Sequence, residues 1–86
     1  MFSGSDIKNI ILSNQITSIN NYAFYNCKSL ISVTINALIP PTLGNYVFDN
    51  NANGRKIYVP QESLEIYKET DGWLNYINDI EPITNV

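Results

Sequence analysis

Apolar residues recur in this chain as short clusters at a fixed phase. Ile7-Lys8-Asn9-Ile10-Ile11-Leu12 and Leu30-Ile31-Ser32-Val33-Thr34-Ile35 both read apolar-x-x-apolar-x-apolar, and Ile7/Leu30, Ile10/Val33 and Leu12/Ile35 are each 23 residues apart. A weaker third copy, Gly54-Arg55-Lys56-Ile57-Tyr58-Val59, follows 24 residues later, at Val33/Ile57 and Ile35/Val59. Between the copies, Ile16, Ile19, Tyr22, Ala23 and Phe24 are answered by Ile39, Leu43, Tyr46, Val47 and Phe48 with one inserted residue. Self-similarity at this period marks a repeat architecture. It predicts one strand per repeat, each paired in parallel with its successor and closed by a turn-rich return.

Period-two alternation sends Ile10, Leu12, Val33, Ile35, Ile57 and Val59 inward. Apolar residues in the returns are too closely spaced for another exposed strand, so Tyr22 to Asn26 and Tyr46 to Asn50 are expected as single helical or 3-10 turns. Ala23 and Phe24 should close the core from behind, with Phe24 and Phe48 stacked. Pro40-Pro41, Gly44-Asn45 and the run 50–54 favour turns, the last being the most mobile loop. Pro60 ends the third strand. Gln61 to Glu69 then reads as a short amphipathic helix with an acidic first turn. Trp73 to Ile77 forms a second apolar turn, and Ile80 to Ile83 an extended end in which Pro82 resists further pairing. These aromatics should plug the last repeat, giving a division into 1–5 (N-terminal leader, of the kind added for expression), 6–60 (repeats) and 61–86 (C-terminal cap).

Composition narrows the function. At 86 residues the chain is one small domain. A net charge of −3 with 15% charged residues offers no footprint for nucleic acid or anionic lipid. No apolar run reaches the 18 or more residues of a membrane span, so no membrane insertion is expected. With no histidine and one cysteine, Ser/His/Asp triads, Cys/His dyads, Cys/His zinc sites and intrachain disulfides are excluded within the chain. The start at Met1 to Asp6 has neither a basic region nor an apolar stretch, so it is not a signal peptide.

The run Ile16 to Ile35 resembles the BspA-like class of bacterial leucine-rich repeat: an Ile-Thr-Ser-Ile start, the Ala23-Phe24 pair, Cys27 three residues on, and Leu30-x-x-Val33-x-Ile35 as the strand. The closing Ile57-Tyr58-Val59-Pro60, Tyr67-Lys68 and Gly72-Trp73 are similar to the ends of such arrays. The third repeat departs from the pattern, with Asn51 in place of Cys27 and Gly54 in place of Leu30, which suits a terminal position. The resemblance implies an α/β leucine-rich-repeat solenoid with a short parallel β-sheet, turn or 3-10 helical returns and a C-terminal helical cap. It also implies a surface or secreted protein that presents an extended recognition face, with no catalytic residues and no cofactor.

Several residues invite chemical readings. Cys27 is either a thiol influenced by Lys28 or a small buried core residue. Glu62, Glu65, Glu69 and Asp71 form either a carboxylate or cation site or a solvated face, and no clustering loop supports the former. The run 49–54 approaches a calcium loop but has Pro60 where the last acidic ligand belongs. Trp73, Tyr76 and Tyr67 could stack on sugars or form the cap. The outward side of the sheet is the candidate partner-binding face, with columns Ile11/Thr34/Tyr58, Asn9/Ser32/Lys56 and Lys8/Ile31/Arg55. The expected function is non-catalytic recognition of a protein or glycan ligand, or adhesion. The alternative is a purely structural cap on a longer array. Self-association through the free Ile7 to Leu12 edge is also expected.

Overall fold

The β-branched clusters form strands at the predicted phase, and their neighbours in space are their repeats in sequence. The computed structural model describes residues 4–83. In chain order the elements are β1 (Asn9–Leu12), β2 (Ser18–Ile19), β3 (Ser32–Ile35), β4 (Thr42–Leu43), β5 (Lys56–Val59), α1 (Leu64–Glu69) and β6 (Ile80–Pro82), with 3-10 segments at Gln61–Ser63 and Trp73–Asp79. β1, β3, β5 and β6 make one parallel sheet in that order. Ile10 lies opposite Val33 and Val33 opposite Ile57, which are the 23- and 24-residue offsets read from the sequence.

The returns differ from expectation. β2 and β4 pair as a second parallel sheet, Ser18 opposite Thr42 and Ile19 opposite Leu43. That register brings Pro40, not Ile39, level with Ile16, and Ile39 is 81% exposed. The segments after β2 and β4 are turns rather than helices, with Tyr22, Asn26, Tyr46 and Asn50 all in the left-handed region at φ of 60°, 59°, 56° and 60°. Tyr22, Phe24 and Asn26 donate to the carbonyls of Asn45, Val47 and Asp49 in the next return at 2.9, 3.1 and 3.0 Å. The returns approach so closely that a Cβ on Gly44 would lie 2.5 Å from the Asn21 nitrogen.

Both ends of the described chain make contacts that the sequence did not suggest. Met1 to Ser3 lie outside the described residues, but Gly4 has φ of 76° and donates to the Tyr25 carbonyl at 2.8 Å, as Asn26 donates to Asp49. Gly4 thus takes the phase of Asn26 and Asn50. At the other end Pro82 does pair, because β6 adds to β5 with Ile80 opposite Ile57. Proline is tolerated there because β6 is the sheet edge and nothing beyond it requires its missing N–H.

Val33, Ile35, Ile57 and Val59 fill the space between sheet and returns. Behind them the Phe24 and Phe48 rings stack at 5.7 Å and 2°. Trp73 extends this inner stack beyond Phe48 at 6.2 Å, and Tyr67 meets Trp73 edge-on at 5.0 Å. The polar tips of the cap residues fasten it to the second return: Trp73 Nε1 to Pro41 O at 2.9 Å, Tyr67 Oη to Ala37 O at 2.6 Å and Ser63 Oγ to Leu38 O at 2.6 Å. Buried tyrosine and tryptophan generally find such partners for their O–H and N–H groups.

Candidate recognition surfaces

Residues of the main sheet that do not point into the core line up across the strands. Ile11, Thr34, Tyr58 and Glu81 stand in one row, and Asn9, Ser32 and Lys56 in another. Ile11 is 74% exposed and Ile31 39% exposed, Lys8 and Asn9 are exposed, and Ser32, Thr34, Lys56 and Tyr58 are half-buried. Lys56 Nζ reaches Glu81 Oε2 at 4.0 Å. Six of the nine proposed face residues, Asn9, Ser32, Lys56, Ile11, Thr34 and Tyr58, therefore occupy the two outward rows, whereas Lys8 and Ile31 precede their strands in the row of Arg55 and are exposed.

Arg55 is buried instead, following Ile57 and Val59 inward under the same alternation. Its Nη1 donates to Phe48 O at 2.6 Å and Asn51 Oδ1 at 3.1 Å, its Nη2 pairs with Asp79 Oδ2 at 2.7 Å, and its Cζ lies 5.2 Å from the Tyr76 ring centre. Asn51 in turn donates to the Phe24 and Cys27 carbonyls at 3.0 and 3.4 Å. The run 50–54 is thus tied to the second repeat, also through the Ala52 N–H to Leu30 O at 3.0 Å.

On the return side, Tyr22 and Tyr46 stack at 5.5 Å with an interplanar angle of 22°, both substantially exposed. Asn26 and Asn50 bond side chain to side chain at 2.8 Å beside them. Between β4 and the cap lies a cleft of about 940 Å³, bordered by Leu43, Tyr46, Asp49, Asp71, Asn75 and Tyr76 among others. Sequence reasoning recorded the recurrence of Tyr22 and Tyr46 but not their exposure, which the left-handed turn geometry confers.

Parallel strands at a 23- to 24-residue phase, with an aromatic stack behind them, decide the architecture. The profile of the BspA type leucine rich repeat region, which comprises six copies, matches residues 1–85. The chain belongs to the BspA-type leucine-rich repeat family. Comparison with curated proteins finds no match. The family is one of repeat-based protein-interaction modules, generally non-catalytic and typically surface-associated. Among the described residues no helix is long and apolar enough to cross a membrane.

The remaining candidates of this BspA-type chain have structural places. Cys27 is fully buried, its sulfur 3.7 Å from Ser5 Oγ. Glu62, Glu65, Glu69 and Asp71 are exposed, and among the described residues no three His, Cys, Asp or Glu side chains gather as metal ligands. Trp73 and Tyr67 are fully buried and Tyr76 nearly so, which makes them cap rather than sugar platform. Burial pushes the Tyr67 phenol up to about 12. Burial, with the hydrogen bond to Asp49 adding to it, raises Tyr76 to about 12 as well. Tyr76 donates to Asp49 Oδ1 at 2.6 Å and accepts the Phe48 N–H at 3.2 Å.

Proposed function

We propose that this chain is a non-catalytic solenoid module that recognises a protein at a microbial cell surface through the outward side of β1, β3 and β5. The observation that supports this reading most is the exposure of Ile11 in one outward row with Thr34 and Tyr58, beside Lys56 and near the exposed Ile31. Apolar side chains held out on a rigid sheet lose little entropy on binding. Aromatic residues are enriched at interfaces of this kind. The cap serves the same end by closing the core beneath the last strands, so a capping role and a recognition role coexist. The test is retention of surface proteins from a host cell by the immobilised chain. The double variant Ile11→Lys with Ile31→Lys should lose that retention, while its urea stability shifts by about 0.5 kcal/mol per exposed site. Undiminished retention, or a large loss of stability, refutes the assignment of this face.

A further inference from the structure

The inner and outer ring stacks of the repeats end differently. Phe24 and Phe48 gain Trp73 as a third ring. Tyr22 and Tyr46 gain none. Twenty-five residues beyond Tyr46, the step that takes Phe48 to Trp73, stands Asp71; neither it nor the neighbouring Thr70, whose hydroxyl is turned back to the Ile66 carbonyl at 2.6 Å, carries a ring. The cap therefore leaves the cleft of about 940 Å³ where the third outer ring would lie. Tyr46 packs one face on Tyr22, borders that cleft and remains 56% exposed.

The chemistry of the lining narrows what could complete the stack. It contains the carboxylates of Asp49 and Asp71 and the amides of Asn45 and Asn75, but neither lysine nor arginine. The whole chain carries a net charge of −3. A guanidinium suits such a place: it is planar, weakly hydrated, stacks on aromatic faces and offers five donors to flanking acceptors. The chain already holds one in this manner, Arg55 lying over Tyr76 and paired with Asp79 at 2.7 Å. We propose that the cleft between β4 and the cap is a second recognition site, which takes an arginine side chain of a protein partner as the third ring on Tyr46, with Asp71 and Asp49 as its acceptors. Lysine would supply charge without the plane. A neutral sugar would supply a flat face without the counter-charge.

The probe is the peptide acetyl-Gly-Arg-Gly-amide, titrated into the 15N-labelled chain and followed by amide NMR shifts. Shifts should gather at Gly44, Asn45, Gly72 and Asn75, saturate at about 1–10 mM and weaken as salt is added. The lysine and citrulline counterparts should bind about tenfold more weakly. Tyr46→Ala and Asp71→Asn alter exposed side chains, so their spectra should stay dispersed while the shifts are lost or reduced. Ile11→Lys should leave the titration unchanged, which separates this site from the sheet face. The proposal is overturned by the absence of shifts at about 20 mM peptide, by an equal response to lysine, by indifference to Tyr46→Ala, or by shifts with cellohexaose in place of the arginine peptide.

Discussion

Phe48→Ala removes the middle ring of the inner stack and so probes the joint between repeats and cap. Phe48 is 1% exposed and meets Phe24 at 5.7 Å, Trp73 at 6.2 Å and Tyr76 edge-on at 5.6 Å. Truncating a buried phenylalanine to alanine costs about 3–5 kcal/mol, as lost transfer energy plus the cavity left behind. Three aromatic contacts, each worth about 0.5–1.5 kcal/mol beyond burial, place this site toward the upper end. The total stability of an 86-residue chain is about 4–13 kcal/mol at the usual value per residue. The variant should therefore lose between a third and all of its stability. Trp73 is the chain's single tryptophan and is fully buried beside Phe48, so its fluorescence reports unfolding in urea directly. Phe48→Leu, which restores most of the volume, should recover roughly half of the loss. A loss below about 1 kcal/mol for Phe48→Ala, with an unchanged denaturant slope, would show that this ring does not join cap to repeats.

Two further outcomes test the polar parts of the core. Arg55→Ala leaves Phe48 O and Asn51 Oδ1 without their donor and should cost about 1–3 kcal/mol in urea unfolding; Asp79→Asn should cost less, at most about 1 kcal/mol, since that side chain is 39% exposed. If the two variants were equal, the ion pair rather than the backbone contact would dominate. Tyr67 and Tyr76 titrate higher in the fold than the ordinary 10.0, at about 12, so the neutral phenols favour the folded state. Their contribution is intact below pH 10 and is lost as pH rises from 10 toward 12, by up to about 1.4 kcal/mol per group and pH unit. Urea midpoints measured from pH 8 to pH 12 should fall only in that upper window. A flat profile would contradict the burial of these hydroxyls.

Strand positions, their parallel order and the inward rows were legible because they depend on local alternation and on a repeat period, both printed in the chain. Phe24, Phe48 and the aromatic cap were legible for the same reason: a residue that recurs at one phase stacks on its own copy. The second sheet and the left-handed turns were not. Their hydrogen bonds run from one return to the next, and no local pattern reveals that Tyr22 donates to Asn45 rather than within its own turn. The extended end at Ile80 to Ile83 was legible but its pairing with β5 was not, because Pro82 argues against pairing until the edge position of that strand is known. Arg55 is the instructive case. Alternation with Ile57 and Val59 pointed inward, but a charged side chain is held there only with partners, and these come from Phe48, Asn51 and Asp79. The cleft beside Tyr46 is likewise bordered by residues from two distant parts of the chain, the turn after β4 and the cap. Repeat phase and alternation are properties of the chain read alone, whereas the partner that makes a buried charge tolerable, or leaves an aromatic face open, is set by residues brought together in space.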